Sequence, residues 1–364
     1  MIKLIKPYIN FDEVQTEFRE IFESGWFTKG KFVEQFKEEI KAYTGAYHAY
    51  LTTSATTALT MALKAIGICK GDEVIISDFS FPATANVVED LEATPIFADV
   101  DLTTFNMLPS DLESKITPRT KAVIFVDALG NPSGIHRIKD ICEKHNLPLI
   151  EDAACAIGSS EFGVRCGAIA DITCFSFHPR KLLTTGEGGA ITFNNEKYTT
   201  FFDIKLNHGS IFHDGKFDFV DFGYNYRLPE LQAVMGIKQI GKLDSIVTSR
   251  NALRKAYIEH LVPLGFEVQS LSKDVVYNVQ SLVFKVPQGI SRDSLIGCLK
   301  NVGIETTLGT YCLSGTTYYA HKYASIQPNA NALEKNTITF PCHDSIDVTY
   351  ICQKVKECIL SLRF

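Results

Sequence analysis

The chain has 364 residues, of which 45% are apolar and 21% charged, with a net charge of −6. That length exceeds one compact core and suits two domains of unequal size, and the composition is that of a folded globular protein. An acidic balance without any cluster of Lys or Arg gives no footprint for nucleic acid, and no apolar run approaches the ~18–20 residues that cross a bilayer. The N-terminal MIKLIKPYINFDEV breaks at Pro7 and turns acidic, so it lacks the apolar centre of a signal peptide. Ten cysteines sit singly inside apolar patterns, as at Cys69, Cys142, Cys174, Cys298 and Cys358, with no C-x-x-C spacing. They are expected to be reduced thiols packed as small hydrophobes, with no zinc site or other metal, in a cytoplasmic protein.

Residues 12–24 and 32–43 read as helices; in the second, Phe32, Phe36 and Ile40 share one face and Lys31, Glu34, Lys37 and Glu38 the other. The turn-rich GWFTKGK between them is either a plain connector or a loop that brings an aromatic side chain to a cleft. After Tyr50, LTTSATTALTMALKAIGI opens on small hydroxyl residues and continues as a helix capped by Ser54 or Thr56. Free N–H groups at such a helix start can bind a phosphate, although on these residues alone capping is the favoured explanation.

Strands then alternate with helices. Strands are expected at 72–77, 94–100, 121–129, 147–153, 171–177 and 189–193, with helices at 83–91 and over HRIKDICEKH, which turns Ile138, Ile141 and Cys142 inward. Short, wholly apolar strands of this kind argue for an α/β fold, a mostly parallel sheet with helices on both faces. Ligands in such sheets collect at the carboxyl ends of the strands, which singles out Asp152, a carboxylate closing the run LPLIEDA. No G-x-G-x-x-G follows a strand, against a common dinucleotide site. Residues 228–262 form a long helical stretch with room for a break, leading to a smaller α+β domain: a strand at 280–286, a helix over SRDSLIGCLKNVG, a strand over IETTLGT and a last helix over VTYICQKVKECILSL. The domains are placed at 1–240 and 241–364.

Several polar residues lie on loops after different strands. Lys181 follows the apolar strand DITCFSF and precedes the glycines of TTGEGG; Asp152 ends its strand; Phe81 lies just beyond DEVIIS; Ser54–Thr56 and Ser176 offer hydroxyl and N–H groups. A solvated lysine, a turn residue and a helix cap are the plain explanations of each alone. Together they are the set that pyridoxal 5′-phosphate (PLP) requires: an amine to hold the cofactor, a carboxylate for the pyridine nitrogen, an aromatic lid and a phosphate cradle.

These residues resemble the DegT/StrS group of nucleotide-sugar aminotransferases, which have the aspartate-aminotransferase fold (fold type I). The likeness runs through SGWFTKGKFVEQFKEE, TTSATTALTMAL, SFPATAN, IFADVD, EDAACAIGS, FSFHPRKLLTTGEGGAIT, LNHGS, GYNYRLPELQAVMG and RDSLIGCLKNVGIETTLGTY, nearly the whole chain. The resemblance implies Lys181 as the Schiff-base lysine, Asp152 as partner of the pyridinium nitrogen and Phe81 stacked on the ring. It implies that Ala55, Thr56 and Ser176 bind the phosphate. Asn225, a turn residue on its own evidence, would reach the phosphate of the neighbouring subunit, so that a homodimer shares its active sites, with Glu187–Gly189 near the boundary. Three positions depart from the frequent pattern. Cys155 stands beside the cofactor ring where many relatives have Gln or His, as in a subgroup that also carries SFHPRK. Ala55 replaces a frequent Gly and requires a negative φ. Ser314 stands where many members have His, near Tyr311, in a segment expected to face the sugar.

The implied reaction moves an amino group from an amino acid, glutamate by resemblance, to the keto group of a nucleotide-linked deoxysugar. A PLP-dependent sugar dehydratase of the same fold is the nearest alternative; those relatives carry His where this chain has Lys181. A non-catalytic ligand-binding relative is the other, against which the intact Lys181, Asp152 and Ser176 argue. Colour separates them: a transaminase loaded with PLP is yellow, bleaches with glutamate and recovers with a keto acceptor.

Overall fold

The computed structural model describes residues 1–362. Seven strands build the main sheet, in the order Thr94–Ala98, Glu73–Ser77, Thr120–Val126, Leu149–Asp152, Ile172–Ser176, Gly189–Phe193, His48–Thr52. The first five are parallel, and Gly189–Phe193 runs antiparallel to both its neighbours. Four of the parallel strands, Glu73–Ser77, Thr120–Val126, Leu149–Asp152 and Ile172–Ser176, are buried at nearly every position because helices cover both faces. One face packs Ala58, Leu59, Met61, Val88 and Phe202 over Val74, Ile76 and Ile124; across the sheet, Ile135, Ile138 and Cys142 meet Ile75, Val123 and Phe125. The strand His48–Thr52 was not anticipated. Because it lies antiparallel to Gly189–Phe193, its carboxyl end falls on the same edge as those of the five parallel strands.

The anticipated long helix is two, Glu230–Ile240 and Leu243–Leu261, broken at Gly241–Lys242. Beyond it, Glu267–Val268, Leu282–Lys285, Thr337–Phe340 and Thr307–Leu308 form an antiparallel sheet, covered by Arg292–Asn301 and Val348–Leu362. Its core is aromatic, with Tyr257, Phe266, Phe284 and Phe340. The extreme N-terminus joins this part of the molecule, since Ile2 bridges to Ile304. A short pairing, Tyr311–Cys312 against Phe79–Ser80, links the two sheets.

One expectation about the cysteines is corrected. Cys298 and Cys358, 60 residues apart, form a disulfide with Cα atoms 5.9 Å apart. Each lies on the apolar side of its helix, and packing Arg292–Asn301 on Val348–Leu362 sets the two thiols face to face. The other eight cysteines are free. Among the described residues no helix is long and apolar enough to cross a membrane.

Candidate active site

Five strand ends and the second sheet enclose a cavity of about 580 Å³. It is lined by Ala55, Thr56, Phe81, Asp152, Cys155, Ser176, Lys181 and Tyr311, eight of the ten residues singled out in the sequence. The parallel topology explains the meeting, because each strand delivers its next loop to one edge.

The helix Ala55–Ala65 begins at this edge. Ser54 is its cap: the Ser54 hydroxyl accepts from Thr57 N–H (3.2 Å) and Thr57 Oγ1 accepts from Ser54 N–H (3.1 Å). Ala55 and Thr56 are thus its first two helical residues, and Ala55 keeps the helical φ its side chain requires. Gly189 lets the neighbouring strand pass beneath this turn; a Cβ there would stand 2.6 Å from the Ser54 carbonyl carbon.

Asp152 is buried. Thr84 Oγ1 donates to its Oδ2 (2.7 Å) and Ala154 N–H to its Oδ1 (3.2 Å). Burial raises its pKa, against the hydrogen bonds of Thr84 and Ala154 and the charge of Lys181. Lys181 Nζ donates to Cys155 Sγ at 3.0 Å. Phe81 is exposed to the cavity, its ring edge-on to Tyr311 with centroids 6.3 Å apart.

Two singled-out residues do not line the cavity. Asn225 is exposed elsewhere on the surface. Ser314, expected to face a sugar, is buried in a short turn against Asp78: its N–H donates to Asp78 Oδ1 and its hydroxyl to Asp78 Oδ2, both at 2.7 Å, while it accepts from Gln327 N–H (2.9 Å). The backbone swings away after Tyr311 because that residue pairs with Ser80, and the next turn must satisfy a buried carboxylate.

The structure adds residues that sequence reasoning passed over. His178 lines the cavity, and burial lowers its pKa. Its Nδ1 accepts from Arg180 N–H (3.1 Å), so Nε2 carries the proton of the neutral ring. Asp127 also lines the cavity, fully buried, with no hydrogen-bond donor on either oxygen. It faces Glu151, whose Oε2 accepts from Thr173 Oγ1 (2.6 Å) and Gly167 N–H (3.1 Å). Burial, then the Glu151 charge, pushes Asp127 well above the usual carboxylate range. Glu151 is raised as well, by its own burial, so the two buried carboxyls oppose each other's ionisation. With Cys166 this pair is the one group of potential metal ligands among the described residues. The signal that marks Asp152, a carboxylate ending an apolar strand, is equally present at Asp127.

The donor set fits PLP. A buried carboxylate suits a protonated pyridine nitrogen, and unbonded N–H groups at a helix start suit a phosphate. Across the cavity a lysine amine is bonded only to a thiol. Fold and site together define a fold type I PLP transferase.

Comparison with known proteins narrows this. The model of the DegT/DnrJ/EryC1/StrS aminotransferase family matches residues 9–356. The spore coat polysaccharide biosynthesis protein SpsC of Bacillus subtilis is 33% identical, over 97% of this chain and 96% of its own length. GDP-perosamine synthase of Escherichia coli O157:H7 is 32% identical, over 97% and 94%. The putative sugar aminotransferase Spr1654 of Streptococcus pneumoniae, solved in its PMP form, superposes with a TM-score of 0.93 at 27% identity, covering 100% of both chains. The chain belongs to the DegT/DnrJ/EryC1/StrS aminotransferase family. It is a PLP-dependent sugar aminotransferase.

Proposed function

We propose that this enzyme transfers the amino group of L-glutamate to the keto group of a nucleotide-linked deoxysugar. The observation that carries the reading is that the Lys181 amine, the buried Asp152 carboxylate and a free helix start all line one cavity. Relatives named as GDP-perosamine synthases support a nucleotide-linked acceptor.

Bound PLP supplies an electron sink that stabilises the carbanion left when the donor loses its α-proton. Lys181 would hold the cofactor; with its amine free, Nζ would be the base that moves the proton from the donor's α-carbon to the cofactor, and the reverse transfer would put a proton on the acceptor's carbon. Asp152 keeps the pyridine nitrogen protonated, and Thr84 and Ala154 hold its carboxylate in place. Phe81 would cover the ring, and Cys155, bonded to Lys181, would contribute to holding the cofactor. Ala55, Thr56 and Ser176 would bind the phosphate, and Tyr311 would border the sugar. Ser314 acts on the sugar side only by holding the Tyr311 segment against Asp78.

The active unit is a homodimer in which Asn225 completes the phosphate site of the other copy. Supporting this, the hairpin Ser210–His213/Lys216–Phe219 leaves Phe212, Phe217 and Phe219 exposed, with exposed Phe222 shortly after it in the chain. Residues 1–240 make the large domain and 241–364 the small one, of which 363 and 364 lie outside the described residues; the bridge from Ile2 to Ile304 ties the first residues to the small domain. The enzyme acts in the cytoplasm, a reading that eight free thiols favour and the Cys298–Cys358 disulfide does not.

The test is a panel of nucleotide-linked ketosugars supplied with glutamate, read by release of 2-oxoglutarate, with the amine position assigned by NMR. Amination of free keto acids and of no ketosugar would overturn the reading.

A further inference from the structure

Lys181 sits at the tip of a loop whose base is closed by its own backbone. Phe177 N–H donates to Gly188 O (2.8 Å), and Thr185 N–H to Phe177 O (2.9 Å). The tip is held differently. The side chain of Gln280 reaches it from the segment leading into Leu282–Lys285, in the second sheet. Its Oε1 accepts from Leu182 N–H (2.7 Å) and its Nε2 donates to Arg180 O (2.7 Å). One planar amide thus bonds the residues on both sides of Lys181.

Gln280 is itself fixed. Its N–H donates to Asn278 Oδ1 (2.8 Å), and its carbonyl accepts from Arg250 Nη2 (3.0 Å). Asn278 in turn donates through Nδ2 to Cys155 O (2.8 Å) and Ile157 O (2.9 Å). Both strands of this network end at the Lys181–Cys155 contact: Gln280 orients the lysine's backbone and Asn278 the backbone of the cysteine.

We propose that Gln280 is a positioning residue for Lys181, a clamp by which the second sheet sets where the Nζ amine lies. This rests on the reading of Lys181 as the lysine that holds PLP and moves the proton. Lys181 reaches across the cavity on four methylenes, so small rotations of its peptide planes become displacements of Nζ, and proton transfer depends steeply on such displacements. A glutamine is suited to the task because it offers one donor and one acceptor in a plane.

The test compares Gln280→Met, which keeps length and removes both bonds, with Gln280→Glu, which keeps an acceptor for Leu182 N–H and loses the donor to Arg180. With Gln280→Met, kcat is expected to fall on the order of 10- to 100-fold while KM for the sugar stays within about twofold, since misplaced reacting groups affect the chemical step rather than binding. Gln280→Glu should fall between this variant and the wild type. In the cofactor-free protein, amide hydrogen exchange at Leu182 should quicken by roughly tenfold in Gln280→Met, the equivalent of one lost hydrogen bond. Should Gln280→Met not fold, Gln280→Leu, which also removes both bonds, carries the same comparison. Unchanged exchange at Leu182, or accelerated exchange with wild-type kcat, overturns the proposal. Full turnover by Lys181→Ala would instead overturn the reading beneath it.

Discussion

Replacing Ser314 by Ala should weaken the fold without weakening sugar binding. The hydroxyl makes three contacts in a fully buried setting: it donates to Asp78 Oδ2 at 2.7 Å, accepts from Gln327 N–H at 2.9 Å and lies 3.5 Å from Cys312 Sγ. Its loss leaves the carboxylate short of its hydroxyl donor and strands a buried N–H. A charged hydrogen bond is worth ~1.5–3 kcal/mol and an unsatisfied buried donor costs ~1–3 kcal/mol, so with partial relaxation the change should cost about 3 kcal/mol. The cost should depend on pH. Burial pushes the Asp78 carboxyl up to about 6, even though the Ser314 hydroxyl, its N–H and the Cys312 thiol all pull it down. A carboxyl raised on folding favours the folded state below its unfolded pKa, and that advantage is lost as pH rises through about 6. The hydroxyl's bond to Asp78 supports the ionised form, so that part of the penalty in Ser314→Ala should fade near pH 5, leaving the cost of the stranded Gln327 N–H, and the whole should be developed near pH 8. Urea unfolding at both pH values measures it, alongside KM for the sugar at pH 8. A KM raised tenfold or more with unchanged stability would put Ser314 in the substrate site and refute the placement.

Asp152→Asn should retain the fold but lose on the order of 10²–10³-fold in kcat, as for other removed electrostatic partners of a reacting group; stopped-flow absorbance with glutamate checks it. In the wild type, burial raises the Asp152 pKa, so PLP retention should fall as pH drops through that raised value and the carboxylate is lost; gel filtration followed by cofactor fluorescence reads this. If Asn225 acts across a dimer, Lys181→Ala and Asn225→Ala subunits should each be deficient alone and recover up to about a quarter of the wild-type activity when co-refolded in equal amounts, since half of the dimers are mixed and each mixed dimer has one intact site; absence of recovery would place Asn225 outside the partner's site. Glu230 is buried and caps Lys31–Thr44 by accepting from the N–H groups of Gly30 (2.9 Å), Phe32 (3.0 Å) and Val33 (3.0 Å), so Glu230→Ala should cost ~2–4 kcal/mol in urea unfolding.

How much of this was legible differs with the kind of signal. The parallel strands were legible because burial on both faces leaves continuous apolar runs, and Asp152 and Lys181 because each interrupts such a run where the strand must end. Asp127 satisfies the same rule and was passed over, the preceding run KAVIFVDAL having been extended past it as strand; the observed strand stops at Val126. The exposed hairpin was also missed although its turn chemistry is written plainly. Asp214–Gly215 joins paired His213 and Lys216, and both turn residues have positive φ, 49° and 76°, as a two-residue hairpin loop of this type requires. Phe212, Phe217 and Phe219 gave no alternation with a buried face, since the hairpin has none within one chain.

What could not be read belongs to a different level. Periodicity tells which face of an element is buried and says nothing about which remote element covers it. Cys298 and Cys358 each fit an apolar helix face, and only the packing of those helices makes them partners. Ser314 and Tyr311 are three residues apart, yet one lines the cavity and the other turns inward, because the intervening Cys312 pairs with Phe79 and carries the chain toward Asp78. Gln280 lies 99 positions from Lys181 and no local pattern marks it; its role exists only because the second sheet folds back over the first. Catalytic groups at strand ends are placed by local sequence, while the residues that hold them in register come from wherever the tertiary fold brings a donor and an acceptor of the right shape. The chemistry of an enzyme of this class is therefore readable earlier than its precision.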